Sequence, residues 1–307
     1  MKIVVTGGSG FIGTNLVEVL LSEHHEVIVV DDLTAGGAAP SDNVVFHQLS
    51  CRELISRGDI WQGADAFVHL AGRPSVQFAN DHPLEAFEAN VGDTFRLLEA
   101  AAKQGISRFV LASSNAAVGE VEGAVTEQAV ARPVSLYGAS KLAAEAYCSA
   151  AARSWGLRAT ALRFANVYGP HSDRKSSVVN KFVRMAIEGG TLVVYGDGSQ
   201  TRDFIYVEDV CRAILRTVES DVEEPVLQIA TGVETSVADL IGYVSAQLDV
   251  VPPLRFADPR TGDVHANSGD IGLAREVLEW EPAVSIVDGI ARTAEYYQQI
   301  PSRLTSR

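Results

Sequence analysis

Along the first half of the chain, short runs of β-branched and apolar residues alternate with longer stretches in which apolar positions recur every three or four residues. Residues 2–6, 26–30, 43–46, 66–70, 108–112 and 158–163 read as strands, and residues 15–21, 84–103 and 137–155 as helices. The strand runs are apolar almost throughout rather than alternating, as expected of strands covered on both faces. Strands alternating with helices predict an α/β fold, a Rossmann-type doubly wound parallel sheet, with ligands bound beyond the carboxyl ends of the strands. After residue 170 the texture changes. Residues 171–177 are polar, 178–188 read as a helix, 192–195 as a short strand, and a turn at Gly196-Asp197-Gly198 precedes an extended segment over 201–207. The remainder, punctuated by Pro252, Pro253, Pro259 and Pro282, reads as shorter elements and more loop.

The first strand stops at Gly7-Gly8-Ser9-Gly10-Phe11-Ile12-Gly13, a helix follows, and the second strand ends at Asp31-Asp32. Glycines at such a turn let the backbone approach a pyrophosphate, which the helix N-terminus attracts, and the acid is placed to bind a ribose diol. The competing reading is a purely structural glycine turn; the flanking strands and the acid favour nucleotide binding. A carboxylate at Asp31 or Asp32 repels a 2′-phosphate, and no arginine follows immediately, so NAD is expected rather than NADP. The expected division is a nucleotide-binding domain over 1–168, carrying part of the catalytic site, and a mainly substrate-binding α/β lobe over 169–307, with some chain returning to the first sheet.

Gly72, Ser113 and Ser114 fall at strand ends, and His69, just inside a strand, reads as a packed histidine. Tyr137 and Lys141 are four residues apart on a helix and share one face. A nearby ammonium favours phenolate, which is how a tyrosine becomes a general base. Tyr-x-x-x-Lys alone also arises by chance as a surface pair.

Composition narrows the partners. Hydrophobic residues make up 47% of the 307 and charged ones 21%, an ordinary globular balance. The net charge of -14 opposes binding to a nucleic-acid backbone but leaves room for a small anion held by local arginines. Cys51, Cys148 and Cys211 are far apart and the seven histidines show no metal-binding spacing, so neither a disulfide framework nor a metal is expected. No apolar run approaches membrane-spanning length and no signal peptide is read, which together predict a cytoplasmic protein with no membrane partner.

Taken together these motifs resemble the extended short-chain dehydrogenase/reductases, in the nucleotide-sugar epimerase and dehydratase branch. The likeness rests on Thr6 to Gly13, Leu70-Ala71-Gly72, Asn90-Val91-Gly92, Ser113-Ser114, Tyr137 to Lys141 and Arg163 to Pro170. It continues through Tyr195 to Phe204, Arg260 to Asp263 and Leu278 to Pro282. The resemblance implies Tyr137 as base, Lys141 as its electrostatic partner and ribose ligand, and Ser114 as the hydroxyl that bonds the reacting sugar oxygen. It implies a cofactor site of Gly7, Gly10, Phe11, Ile12, Gly13, Asp31, Asp32, Gln48, Leu49, Leu70, Ala71, Gly72, Tyr137 and Lys141. For a nucleotide-diphosphate sugar, with UDP expected, it implies Ser113, Ser114, Asn115, Asn166, Arg202, Arg260 and Asp263. Arg73 and Arg174, in loops near the expected cleft, are further candidates with no motif behind them, and Asp203 is expected to orient Arg202 rather than to do chemistry. A homodimer through helices 84–103 and 137–155 is expected likewise.

Departures from the family pattern bear on the reaction. Asn115 and Ala116 stand where the 4,6-dehydratases carry an Asp-Glu pair, Val118 replaces a usual tyrosine, Gln48 replaces an aspartate, and Glu120 lies just beyond. UDP-sugar 4-epimerisation is the leading expectation. A dehydratase of unusual regiochemistry, such as a 5,6-elimination, and a non-catalytic NAD-binding regulator remain open.

Overall fold

The computed structural model describes residues 1–40, 43–172, 177–258 and 268–300. Its strands are β1 (Lys2–Thr6), β2 (Glu26–Val30), β3 (Val45–His47), β4 (Ala66–His69), β5 (Arg108–Ser114), β6 (Arg158–Phe164), β7 (Asn166–Tyr168), β8 (Leu192–Tyr195), β9 (Thr201–Tyr206), β10 (Val226–Ile229), β11 (Glu234–Ser236) and β12 (Leu254–Ala257). Its helices are α1 (Phe11–Ser22), α2 (Cys51–Ser56), α3 (Val76–Asp81), α4 (Pro83–Phe87), α5 (Asp93–Gln104), α6 (Leu136–Trp155), α7 (Val178–Ile187), α8 (Val207–Glu219), α9 (Val237–Leu248), α10 (Gly272–Leu278) and α11 (Ile286–Gln299).

Seven strands form one sheet in the order β10-β6-β5-β4-β1-β2-β3, every neighbouring pair parallel. The chain runs outward from β1 to β3 on one side and from β4 to β6 on the other, so the order reverses between β1 and β4. In open α/β sheets the ligand crevice lies at such a reversal.

Strand residues alternate between two cores. Ile3 and Val5 pack with Leu16, Leu20, Val210 and Ile214, under α1 and α8. Val4, between them, packs with Leu97, Leu98, Ala144 and Cys148, under α5 and α6. Each wholly buried Val, Leu or Ile contributes roughly 1.5–3 kcal/mol. A third core of Tyr168, Phe182, Val183, Tyr206, Leu240, Val244 and Ile290 supports a lobe built on the sheet β11-β9-β7 and the pair β12-β8.

Two expectations change. The stretch 84–103 is not one regular helix: a π-helical turn over Glu88–Gly92 separates α4 from α5. Asn90 causes or exploits this turn, because its amide reaches out to the backbone N–H and C=O of Arg73 (2.8 and 3.2 Å) and to Ser140 Oγ (3.0 Å). The C-terminal part is also more regular than expected, with α8, α9 and α11 running 13, 12 and 14 residues. In α8, Val207, Val210, Cys211, Ile214, Leu215 and Val218 form one buried stripe that docks on α1, while β10 extends the main sheet beside β6.

Candidate active site

The turn after β1 is drawn tight by its glycines. Gly7 has φ 73°, and a Cβ there would stand 2.6 Å from the backbone N of Ala71, so the loops after β1 and β4 touch across the crevice. At Gly13 a Cβ would stand 2.2 Å from the Gly7 carbonyl oxygen. Gly13→Ala is therefore expected to lower the melting temperature and reduce nucleotide binding together, read by thermal denaturation with and without added NAD. A Gly13→Ala protein that melts and binds like wild type would show that the turn has slack.

Asp31 lies where β2 meets the crevice. Its carboxylate accepts from Ser9 N (3.0 Å) and Leu33 N (2.9 Å), which fixes it beside the glycine turn and leaves acceptor capacity for a diol. Asp32 is exposed and caps its own turn by accepting from Thr34 N (2.9 Å) and Oγ1 (2.6 Å). Phe11 and Ile12 open α1, Leu70, Ala71 and Gly72 follow β4, and Gln48 (exposed) and Leu49 follow β3, all on the carboxyl edge of the sheet. Ser9 Oγ is buried in this turn without a hydrogen-bond partner among the described residues.

Tyr137, Lys141 and Ser114 converge over the end of β5. Ser135 caps α6 by accepting from Gly138 N (3.0 Å), which starts the helix just before the tyrosine. The Tyr137 hydroxyl is hydrogen-bonded to the Ser114 side chain, and Ser114 Oγ also accepts from Ala116 N (3.2 Å). Lys141 Nζ donates to the Ala112 carbonyl (2.9 Å) and stands 6.0 Å from the Tyr137 ring centroid.

Here the electrostatic expectation needs correcting. Burial pushes the Tyr137 phenol up to about 12, the Ser114 hydrogen bond opposing it, and Lys141 does not offset that burial. Lys141 itself is held down at about 8, first by burial, with Glu145 acting the other way. Desolvation wins over the pair's mutual attraction because both groups are out of water and the ammonium is spent on a carbonyl.

The Lys141 displacement from 10.5 to about 8 corresponds to roughly 3 kcal/mol against the charged form. Its sign is testable. The unfolded chain binds more protons than the folded one between about pH 8 and 10.5, so stability rises with pH across that window and the penalty is fully present below it. Lys141→Met is expected to melt higher than the unliganded wild type at pH 7, the difference shrinking towards pH 10.5. A variant that melts lower at pH 7 would contradict the burial cost.

Other predicted residues are brought to the site unevenly. Ser113 and Asn115, expected to meet substrate, spend their side chains inward: Ser113 Oγ donates to Glu145 Oε1 (2.5 Å), and Asn115 Oδ1 accepts from Gln228 Nε2. Ser113 differs from Ser114 because successive strand residues face opposite ways. Asn166 is exposed at the start of β7, donating to the Asp203 carbonyl (3.3 Å), and Arg202 lies on the adjoining β9, its Nη1 donating to the Thr201 carbonyl (2.7 Å). Asp203 does not orient Arg202. It is wholly buried and accepts from Thr231 N and Oγ1, Gly232 N and Gly269 N, pinning two loops together.

Arg260, Asp263 and Arg174 lie outside the described residues. Arg73 crosses from the β4 loop to Thr34 Oγ1 (3.4 Å) and pairs with Glu85 (3.1 Å). Glu120 is exposed, and Val118, where the family tyrosine would stand, is buried. His69 is packed, bonded to Thr6 Oγ1 (2.7 Å) and Thr94 Oγ1 (3.1 Å), with burial pushing it down to about 3. Among the described residues no group of three or more His, Cys, Asp or Glu could hold a metal, and no helix is long and apolar enough to cross a membrane.

Glu145 is the residue the sequence reading passes over. An acid one turn beyond Lys141 in an otherwise Ala-rich helix face is the signal that could have found it.

Comparison with known proteins bears on this geometry. Residues 3–230 match the model of the NAD dependent epimerase/dehydratase family. The chain is 34% identical over 309 residues to UDP-glucose 4-epimerase of Mycolicibacterium smegmatis, covering 97% of this chain and 99% of that protein. UDP-glucose 4-epimerase of Thermotoga maritima, solved with UDP-glucose, superposes with a TM-score of 0.92 at 33% identity, covering 97% and 99% of the two chains. The Thermus thermophilus UDP-glucose 4-epimerase complex with NAD superposes with a TM-score of 0.90 at 30% identity and the same coverage. A parallel sheet that reverses order beside a glycine turn, with tyrosine, lysine and serine over its fifth strand, is thus accompanied by likeness along nearly the whole chain, and the protein belongs to the NAD dependent epimerase/dehydratase family.

Proposed function

We propose that this protein is a UDP-sugar 4-epimerase using NAD. The observation that carries the reading is the convergence of Tyr137, Ser114 and Lys141 beside the β1 turn, with no carboxylate at 115 or 116 to drive water loss. The full-length likeness to UDP-glucose 4-epimerases supports it.

The residues present fit the cofactor. A Cβ at Gly7, Gly8 or Gly13 would stand within 2.6 Å of a neighbouring atom, Ser9 Oγ is buried there without a partner among the described residues, and Asp31 retains acceptor capacity. Gly7, Gly10, Phe11, Ile12 and Gly13 would hold the pyrophosphate, Asp31, Asp32, Gln48 and Leu49 the adenosine, and Leu70, Ala71, Gly72, Tyr137 and Lys141 the nicotinamide end. When bound, NAD supplies a hydride acceptor and a positive charge that favours phenolate. Tyr137 takes the proton from the C4 hydroxyl and later returns it, and Ser114 orients that oxygen. Lys141 sits beneath as a buried cation. Asn166 and Arg202, on the paired strands β7 and β9, are proposed to face the diphosphate, and the family resemblance gives Arg260 and Asp263 the same role. Guanidinium forks suit phosphate oxygens.

Incubation of the purified protein with UDP-glucose, UDP-GlcNAc and dTDP-glucose tests the reading by NMR and mass spectrometry. Inversion at C4 without mass change is expected for a UDP-sugar. Loss of one water would favour a dehydratase instead, and absence of any turnover with NAD bound would favour a regulator.

A homodimer belongs to the same proposal. Phe95, Tyr147 and Trp155 are 38%, 44% and 42% exposed on α5 and α6 and form one aromatic cluster, with Phe95 5.0 Å from Tyr147 and 6.1 Å from Trp155 between ring centroids. Burying such rings against a second copy is favourable, and a charge there is not. Phe95→Glu with Tyr147→Glu is expected to halve the mass measured by light scattering, and an unchanged dimer mass would place the interface elsewhere.

A further inference from the structure

Three successive residues of β5 hold three residues of one α6 face. The Ala112 carbonyl accepts from Lys141, Ser113 Oγ donates to Glu145, and Ser114 bonds Tyr137. Tyr137, Lys141 and Glu145 follow one another at four-residue spacing, one turn apart along the helix. Only Glu145 of the three has no part in the proposed reaction, yet it is 3% exposed and the most heavily bonded. Its Oε1 accepts from Ser113 Oγ (2.5 Å) and Arg163 Nε (3.0 Å), and its Oε2 from Arg163 Nη2 (2.8 Å) and Nε (3.2 Å). Arg163, 4% exposed, lies on β6 directly opposite Ser113 in the sheet register. The carboxylate therefore ties β5, β6 and α6 together at the level of the reacting groups.

A buried ion pair is a poor way to gain stability, since apolar residues of similar volume serve as well or better. Its defensible uses are fixing a register and setting a local charge. Both apply here. The fork fixes which turn of α6 stands over the β5 end, and the carboxylate lies one turn from an ammonium whose charge burial disfavours.

We propose that Glu145 is a positioning residue: held by Arg163 and Ser113, it sets the register of α6 over Ser114 and keeps Lys141 charged beneath Tyr137. It touches neither substrate nor cofactor. The proposal deepens the epimerase reading and rests on it for turnover, but its charge effect is measurable in the unliganded protein.

The test is Glu145→Gln, which keeps the shape and one hydrogen-bond acceptor and removes the charge. The chain has five lysines, so selective 13C labelling at the lysine ε-carbon resolves Lys141, assigned by its loss in Lys141→Arg. Titration of unliganded Glu145→Gln is expected to show Lys141 losing its proton about one pH unit lower than in wild type. On the UDP-sugar that wild type turns over, the alkaline fall of kcat should move to lower pH with it, kcat at pH 8.5 dropping about ten-fold while KM changes less than about three-fold.

Arg163 is left without its counter-charge in that variant, so Glu145→Leu with Arg163→Met provides a folded reference lacking both charges. Its Lys141 titration should also move down. A Lys141 titration identical to wild type in either folded variant would overturn the proposal, whatever the assays show. A shifted titration in a protein whose wild type turns over no UDP-sugar would leave Glu145's role standing and overturn the epimerase reading alone.

Discussion

Tyr137→Phe is expected to slow C4 inversion by about 10²- to 10⁴-fold, the range over which a positioned acid–base group acts, while nucleotide-sugar affinity stays within about three-fold. The loss should be large because, among the described residues, the other candidates are ill placed to take over the proton. His69 is buried, bonded on both ring nitrogens and held down at about 3. Glu120 is exposed, and Lys141 is directed at the Ala112 carbonyl. Ser114 is a hydroxyl without a base of its own. Because burial holds the phenol up near 12, the wild-type rate should rise with pH below the point where Lys141 discharges, and the phenylalanine variant should lack that rise. Single-turnover measurement with the preferred UDP-sugar, beside calorimetric binding of UDP, separates the two quantities. Equal rates for variant and wild type would remove Tyr137 from the reaction.

Glu145→Ala should destabilise the fold by about 3–5 kcal/mol, the cost of breaking a buried ion pair by deleting one partner. The carboxylate is the worse partner to delete. Without it, among the described residues, the Arg163 guanidinium keeps a long bond to the Thr126 carbonyl (3.5 Å), while the Lys141 ammonium loses the carboxylate one turn along α6. Arg163→Ala leaves a carboxylate whose neighbour along the helix is that same ammonium, together with the Ser113 hydroxyl, so its loss should be smaller. Replacing both, as Glu145→Leu with Arg163→Met, should recover most of the stability. Denaturant unfolding of the unliganded proteins reads all three, and a Glu145→Ala midpoint equal to that of the double variant would mean the stranded guanidinium finds water or a new partner.

The alternation of apolar runs and helical stretches in the first half was enough to specify the parallel sheet. A strand covered on both faces must be apolar throughout, and its neighbours must then be reached by helical crossovers. The glycine turn, Asp31 and the Tyr137–Lys141 spacing were legible because each is a local pattern with a local physical cause. The helix α8 and strand β10 were not: their apolar stripes predict burial, but not that the surface they cover belongs to α1 and β6, far away in the chain. The break at Glu88–Gly92 was hidden likewise, since Asn90 is an ordinary helix residue until Arg73 and Ser140 stand beside it.

What the sequence by itself determined is the identity and order of the reacting groups: tyrosine, lysine, serine, the glycine turn, and the missing acid pair at 115 and 116. What only the tertiary structure decided is how those groups are charged and aimed. Spacing on a helix says that Lys141 can approach Tyr137. Burial of both reverses the expected direction of the phenol's shift, and the pleat of β5 sends Ser113 to Glu145 while Ser114 meets the tyrosine. Those outcomes depend on the surrounding dielectric and on partners from β5 and β6, neither of which is a property of the residues in line.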